Sequence, residues 1–198
     1  MSFKSLPSSN LGSGITYHKP QAPRLSKVTA QDAALDIMTD LKNVAAITIS
    51  PTESIDNANE KMKIKQVRML LVVDVHDVIV GLITSSDILG EKPMKHIQMN
   101  GGTHKDIQVE DIMTPSSRIE TLDIKDVSHV KVGDIVETLK RDGKQHALVI
   151  DKQGQANAKT VRGIFSISQI ARYLGIDIET HEVANTMAEI AHVISKSH

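Results

Sequence analysis

The chain reads Gly81-Leu82-Ile83-Thr84-Ser85-Ser86-Asp87-Ile88-Leu89 where an apolar, β-branched run meets a short predicted helix. Just upstream, Leu70-Leu71-Val72-Val73-Asp74 is followed, after a short gap, by a second β-branched run at 78–80. Two such runs separated by polar residues predict a pair of strands with a tight connection. The sequence therefore predicts two paired strands that lead directly into a helix.

The start of that helix carries hydroxyl and carboxylate side chains close together in the sequence. Thr84, Ser85 or Ser86 can cap the helix, which leaves backbone N–H groups free at its N-terminus. Such an end favours a phosphate, and Asp87 one turn later can accept hydrogen bonds from a ribose diol. The plainer interpretation is a strand, a cap and a first-turn acid with no ligand.

The same pattern returns, in altered form, in the second half of the chain. Three segments are matched in order: 36–40 by 111–115, 71–74 by 148–151, and 81–88 by 163–170. Their separations of 75, 77 and 82 residues rise steadily, as expected of one duplicated unit with two loop insertions. The chain is therefore predicted to contain two copies of one unit.

The order of these motifs resembles the CBS domain, the cystathionine-β-synthase regulatory module. The first copy runs from Met-Thr through an apolar strand and a short amphipathic helix to L-x-V-V-D and G-h-h-T-x-x-D-h, where h is apolar. The resemblance covers roughly residues 33–174 and looks like a stand-alone tandem pair. It implies an α/β (α+β) fold of two β-α-β-β-α half-units related by a pseudo-twofold axis.

The predicted organisation has five parts. They are an N-terminal arm (1–28), a first repeat (29–90), an inter-repeat linker (91–108), a second repeat (109–175) and a C-terminal helix (176–198). The arm is rich in Ser, Gly, Pro and Asn, and the linker carries Pro93 and Gly101-Gly102. The linker is therefore expected to be loop-like, and the arm to be mobile or extended or, alternatively, to pack across a partner subunit.

Two apolar stripes at helical spacing lie near the two ends of the chain. They consist of Ala34, Ile37, Met38 and Leu41 in the first repeat, and of Val183, Met187, Ile190 and Ile194 after the second repeat. The first stripe predicts a core-packed helix. The second stripe is narrow and suits either its own domain or a partner chain. Because the resemblance implies dimerisation through helices, we expect a homodimer and favour the partner chain.

The resemblance implies a first ligand site in the first repeat. In the family pattern the hydroxyl of G-h-x-T-x-x-D contacts phosphate, the Asp holds the ribose, and residues before the L-x-V-V-D strand line the base pocket. These positions, with the neighbouring strand residue, are Thr84, Asp87, Ile83, Val67, Arg68 and Met69. The guanidinium of Arg68 can add a charge-assisted contact to phosphate.

The second copy departs from the family pattern at the ribose position. Ser166 matches the hydroxyl, but Gln169 replaces the acid and offers a single carbonyl oxygen instead of paired carboxylate acceptors. The equivalents of the base-pocket residues are Lys144, Gln145 and His146, which form a more polar wall. The second site is expected to be degenerate, tuned to another ligand, or held by phosphate contacts alone.

Bulk composition argues against several classes of function. The chain has no cysteine, which excludes disulfides, thiolate catalysis and cysteine–zinc sites. A net charge of −1 and an aromatic content of 2% argue against a nucleic-acid surface. No apolar run approaches the ~18 residues of a membrane span, and the N-terminus lacks a signal-peptide region. We therefore expect a cytoplasmic protein that binds neither nucleic acid nor membrane.

Catalysis and metal binding are not predicted. A nucleophile needs an oriented base beside it, and the Ser and Thr residues fall where helix caps are expected. The nine histidines are scattered, with no i, i+4 pair and no HExxH motif. We expect no catalytic residue, no metal ligand and no covalent cofactor, and an adenine nucleotide is the expected ligand.

These observations favour a regulatory, ligand-sensing module. The resemblance implies that an adenosine-type nucleotide (AMP, ADP, ATP or S-adenosylmethionine) binds in the cleft of the pair and shifts its conformation, which an unidentified partner protein detects. The alternative is a structural or dimerisation module with degenerate ligand sites, which the substitution of Gln169 for the acid supports.

Overall fold

The computed structural model describes residues 28–153, 158–176, 188–192 and 194. The predicted N-terminal arm (1–28) lies outside these residues except for its last position, and so does most of the predicted C-terminal helix (176–198). No helix in these ranges is long and apolar enough to cross a membrane.

Within the described residues, strands and α-helices are interspersed along the chain. The strands are β1 (Thr39–Asp40), β2 (Thr48–Ile49), β3 (Met69–Val73), β4 (Ile79–Thr84), β5 (Thr114–Pro115), β6 (Thr121–Asp123), β7 (His146–Gln153) and β8 (Ala158–Ser166). The helices are α1 (Ile55–Lys65), α2 (Ser85–Leu89), α3 (Lys92–Asn100), α4 (Val109–Ile112), α5 (Ile124–Val127), α6 (Val132–Arg141) and α7 (Ile167–Tyr173). The chain is thus of mixed α+β class, as predicted.

The strands form two four-stranded sheets of the same topology. One sheet has the order β2-β3-β4-β5 and the other the order β6-β7-β8-β1. In each sheet a short strand pairs in parallel with a long strand, which pairs antiparallel with the next. The equivalent order in both sheets confirms the duplication predicted from the sequence.

Each repeat gives its first strand to the sheet of the other repeat. Strand β1, which belongs to the first repeat in sequence, pairs antiparallel with β8 of the second repeat. Strand β5, which opens the second repeat, pairs antiparallel with β4 of the first repeat. The two repeats are therefore interlocked by two reciprocal strand pairs.

The exchanged strands approach their partner sheets closely over two glycines. A Cβ atom added to Gly81 would lie 2.7 Å from Sδ of Met113 and 2.7 Å from the carbonyl oxygen of Thr114. At Gly163, the equivalent position, the nearest atoms all belong to the side chain of Met38. The absence of a side chain at these two positions thus makes room for the exchanged segments.

The apolar residues follow the same exchange. The core of the second half includes Ala34 and Ile37, which precede β1, together with Phe165 and Ile170. The core of the first half includes, in turn, three residues that flank or form α4, namely Ile107, Val109 and Ile112. A third cluster, built on Met69, Leu71 and Leu148, lies between the two sheets. Buried apolar contact therefore joins the halves in addition to strand pairing.

Two expectations about local structure are wrong. The stripe that begins at Ala34 forms only a 3-10 turn (Ala34–Ile37), because Met38 is extended and Thr39 enters the ladder with β8. The linker, which was expected to be loop-like, contains α3. Pro93 is tolerated there because it lies in the first turn, where its missing N–H has no intrahelical partner.

The C-terminal stripe packs on its own chain at the positions that the structure describes. Ile190 is fully buried in the core of the second half, and Ile194 packs against the same core. The preference for a partner chain is therefore wrong at these two residues, because the adjacent core already covers them. Val183 and Met187 lie outside the described residues.

The close contacts at Gly81 and Gly163 predict different costs for the same substitution at the two positions. Gly81→Ala should lower the free energy of unfolding by about 1–3 kcal/mol, because the new methyl group meets the backbone of Thr114 as well as a side chain. Gly163→Ala should cost clearly less, since flexible Met38 can move aside. Urea denaturation of both variants measures the difference, and an equal or reversed cost would contradict the assignment.

Candidate functional site

A cleft of about 1180 Å³ lies between the two repeats. Its walls are made by the segments around β1 and before β2, the end of α1, the start of β3, helix α2, and the segment from the end of β8 into α7. Both repeats therefore contribute to one cavity. Its volume is ample for a small-molecule ligand.

The turn after α1 brings the first repeat into the cleft. Helix α1 ends at Lys65 because Gln66 adopts a left-handed conformation with φ of 53°. The chain then reverses, and the carbonyl oxygen of Arg68 accepts a 2.9 Å hydrogen bond from the N–H of Ser85. This arrangement places Val67 and Arg68 at the wall of the cleft, beside the end of α1.

Part of the cleft lining is apolar. Its side chains come mainly from the first repeat and include Leu41, Val44, Ile47, Val67, Met69 and, from the second repeat, Ile164. Burying a flat heterocycle against such side chains is favourable, at roughly 25 cal/mol per Å² of apolar surface removed from water. This wall can therefore hold a nucleobase.

Other residues of the cleft lining are polar and carry hydroxyl or amide groups. Thr39 and Gln169 line the cleft together, and Thr39 Oγ1 donates a 2.8 Å hydrogen bond to Gln169 Oε1. Ser166 and Ser168 also line it. Although Ser166 stands at the N-cap position of α7, its side chain makes no capping hydrogen bond. Its hydroxyl is therefore not engaged by the helix that it precedes.

Four basic side chains line the cleft: Lys63, Lys65, Arg68 and Arg172. None of them forms an ion pair with an acidic residue in the described ranges of the chain. No Asp or Glu of those ranges lines the cleft. Because the whole chain carries a net charge of only −1, the cleft is a local concentration of positive charge.

His146 contributes a buried polar atom to the same cleft. Its Nδ1 atom is shielded from solvent and has no hydrogen-bond partner among the described residues. Burial, followed by the positive charge of Arg68, lowers the pKa of His146 to about 4, against an opposing effect of Asp87. The imidazole is therefore neutral at neutral pH, and one ring nitrogen remains to meet a ligand.

The motif residues Thr84 and Asp87 of the first repeat are engaged with each other and do not line the cleft. Asp87 Oδ2 accepts hydrogen bonds of 2.8 Å from the N–H of Thr84 and 2.7 Å from its Oγ1. Thr84 Oγ1 in turn accepts one from the N–H of Asp87, which completes a capping box. Asp87 Oδ1 lies 2.7 Å from Nζ of Lys92. The motif thus builds the start of α2.

The predicted residues are brought together across the repeats, not within them. Val67, Arg68 and Met69 of the first set share the cleft with Ser166, Gln169 and His146 of the second set. The exchange of β1 adds a further contribution from the first repeat, because it carries Thr39 and the following segment to the second sheet.

Three other predicted residues lie apart from the cleft lining. Ile83 is fully buried in the core of the first half. Lys144 pairs with Glu120, and Gln145 Nε2 donates a 2.8 Å hydrogen bond to Ser86 Oγ.

Sequence reasoning left Thr39 and Arg172 out of the site. The Met-Thr pair that opens the repeat was a signal for Thr39, since it recurs at 113–114. No pattern in the sequence marked Arg172, which reaches the cleft because α7 packs beside the exchanged strand.

Residues 33–93 match the family model of the CBS domain. An uncharacterized 17.7 kDa protein of Acidianus ambivalens is 25% identical over 154 residues, which cover 77% of this chain and 81% of that protein. An uncharacterized conserved protein from Pyrococcus horikoshii has a similar structure, with 21% identity and a TM-score of 0.52 over 78% of this chain and 100% of the other.

A CBS-domain-containing protein from Agrobacterium tumefaciens is similar to the same degree. It is 18% identical, with a TM-score of 0.51 over 73% of this chain and 94% of the other. These likenesses concern the fold, and the matched family model covers the first repeat. Residues 33–93 therefore belong to a CBS domain, and the two interlocked α+β halves have the fold of a CBS-domain-containing protein.

Proposed function

We propose that this chain is a regulatory module that binds an adenosine-type nucleotide in the cleft between its repeats and passes the signal to a partner protein. The single observation that carries the proposal is the composition of that cleft. Part of the lining is apolar, and four basic side chains stand in the same cavity with the hydroxyls of Ser166 and Ser168; among the described residues these cations have no acidic partner and no acid lines the cavity. A nucleotide has the matching combination of an apolar base and anionic phosphate.

The base has a place on the apolar side. Val67 and Met69 flank Arg68 at the start of β3, and Val44 and Ile47 lie on the segment that leads into β2. The buried ring nitrogen of His146 adds a polar group that can meet an edge of the base or a ribose hydroxyl. Such a site combines apolar burial with a few oriented polar contacts, as nucleotide pockets do.

The phosphates have a place among the basic residues. The guanidinium groups of Arg68 and Arg172 can each donate two parallel hydrogen bonds to phosphate oxygens, and the hydroxyls of Ser166 and Ser168 can donate one each. Arg68 is half-buried, so its charge is screened least by solvent. We expect Arg68 to contribute most to phosphate binding.

Ribose recognition is weaker in this arrangement than the resemblance would imply. Gln169 stands where the family pattern has an acid, and its carbonyl oxygen already accepts the hydrogen bond from Thr39. A ribose diol would have to share or displace that bond. Affinity in this cleft is therefore expected to come from the base and the phosphates.

A ligand in this cleft would join the two repeats. The basic residues come from both repeats, with Arg68 on the first and Arg172 on the second. A nucleotide that contacts both favours the packing in which they are close, and it shifts the population of the pair toward that packing. A partner protein that binds one packing better than the other would then detect the nucleotide.

A structural module without a ligand is the rival function, and one observation favours it. The Thr84–Asp87 motif, which the resemblance assigns to a ligand, is fully used as a helix cap and an ion pair with Lys92. The rival predicts that no adenine compound binds or raises the midpoint of thermal unfolding. The nucleotide module predicts binding by at least one of them.

Arg68→Gln tests the proposal. Loss of a charge-assisted hydrogen bond should weaken nucleotide binding roughly tenfold or more, because such a bond contributes about 1.5–3 kcal/mol. Isothermal titration calorimetry with ATP measures the change. Arg118→Gln is the matched control, since Arg118 is exposed and lies outside the cleft lining. Equal dissociation constants for Arg68→Gln and the parent chain would show that the nucleotide does not bind in this cleft.

Asp87→Asn separates the two places that a ligand could occupy. The variant weakens the helix cap and the ion pair with Lys92, so the free energy of unfolding should fall by about 1–2 kcal/mol. The dissociation constant for ATP should change by less than about threefold, since Asp87 does not line the cleft. A large loss of affinity, measured on folded protein, would instead show that the ligand binds at Thr84 and Asp87.

A further inference from the structure

The number of positive charges in the cleft bears on how many phosphate groups its ligand carries. Lys63 and Lys65 lie in the last turn of α1, and they join Arg68 and Arg172 in one cavity that no described carboxylate enters. A single phosphate offers at most two negative charges to these four cations. The arrangement therefore has more positive charge than a nucleoside monophosphate can neutralise.

Two acidic residues next to cleft-lining residues in the sequence, Asp87 and Asp40, are paired with other cations. Asp87 is held by Lys92, whose Nζ also donates a 2.9 Å hydrogen bond to the carbonyl oxygen of Ile112. Asp40, which follows the cleft residue Thr39, pairs with Arg162. These pairs remove the negative charges that could otherwise compensate the cleft. An anionic ligand would supply the charge that the described acidic residues do not.

The same absence of carboxylates bears on the form of the ligand. Magnesium bound with a nucleotide is usually held by one or two carboxylates in addition to the phosphates. In the described part of the chain no group of three or more His, Asp or Glu side chains could hold a metal ion. A magnesium ion on the phosphates would also cancel charge that the four basic residues would otherwise meet.

We infer that the cleft selects the metal-free polyphosphate form of its nucleotide. ATP and ADP bind more tightly than AMP, and S-adenosylmethionine, whose sulfonium and ammonium charges outweigh its one carboxylate, is excluded. The inference rests on the proposed nucleotide function and specifies its ligand class. It follows from four basic residues in one cleft that, within the described ranges, have no acidic partner and share the lining with no acid.

Calorimetric titration of the full chain tests this inference. ATP, ADP, AMP and S-adenosylmethionine are titrated separately, first in EDTA and then with magnesium in excess. In EDTA, ATP should bind roughly tenfold or more tighter than AMP, since each added phosphate gains charge-assisted contacts. Excess magnesium should weaken ATP binding while leaving AMP binding nearly unchanged. S-adenosylmethionine should show no heat of binding.

A pair of lysine variants on one helix connects the selectivity to the cleft. Lys65→Gln should reduce the preference for ATP over AMP, because Lys65 lines the cleft. Lys61→Gln is the matched control, since Lys61 is an exposed residue of the same helix that does not line it. Loss of preference in both variants would point to general surface charge and would overturn the assignment to the cleft.

The possible failures are distinguishable. Equal binding of AMP and ATP, tighter binding of ATP with magnesium, or binding of S-adenosylmethionine would overturn the inference and leave the nucleotide function standing. Absence of binding by every adenine compound would overturn both. Inorganic tripolyphosphate that binds as tightly as ATP would show that the apolar wall is unused, which contradicts the proposed nucleotide function.

Discussion

The architecture of this protein depends on two strands, β1 and β5, that each pair with the sheet of the other repeat. Each sheet is completed by a strand from the other repeat, and the apolar residues beside each exchanged strand enter the core that receives it. Backbone hydrogen bonds and buried apolar surface therefore connect the halves in both directions. Because of this connection, the space between the repeats is a defined cleft with walls from both, and its shape depends on how the repeats pack.

The basic residues of the cleft have an energetic consequence for the free protein. Like charges that share one cavity repel each other, and neither Arg68 nor Arg172 has an acidic partner in the described ranges to offset that repulsion. An anion that enters removes the repulsion and adds charge-assisted hydrogen bonds. Ligand binding and stability of the pair are thereby linked, which is the physical requirement for a module that reports occupancy through its packing.

The sequence was sufficient to predict the repeat and the paired strands, but not the composition of the cleft. Motif order identified β3, β4, β7 and β8, since their β-branched runs are bounded by turn residues. Strand exchange was not predictable, because the spacing of Met38-Thr39 along the chain does not say which sheet receives the strand. The family pattern groups Arg68 with Asp87, whereas the structure places Arg68 in a cleft with Gln169. At Thr84 and Asp87 the plainer interpretation, a capped helix, describes the contacts that are formed.

Hydrogen–deuterium exchange with and without ATP in EDTA tests most directly whether a ligand joins the two repeats. The account predicts that ATP slows exchange in two places at once: at 44–47 and 67–69 of the first repeat, and at 166–173 of the second repeat. Helix α6, none of whose residues lines the cleft, should be unaffected. Slower exchange confined to 84–92, or to one repeat alone, would contradict a ligand in the shared cleft.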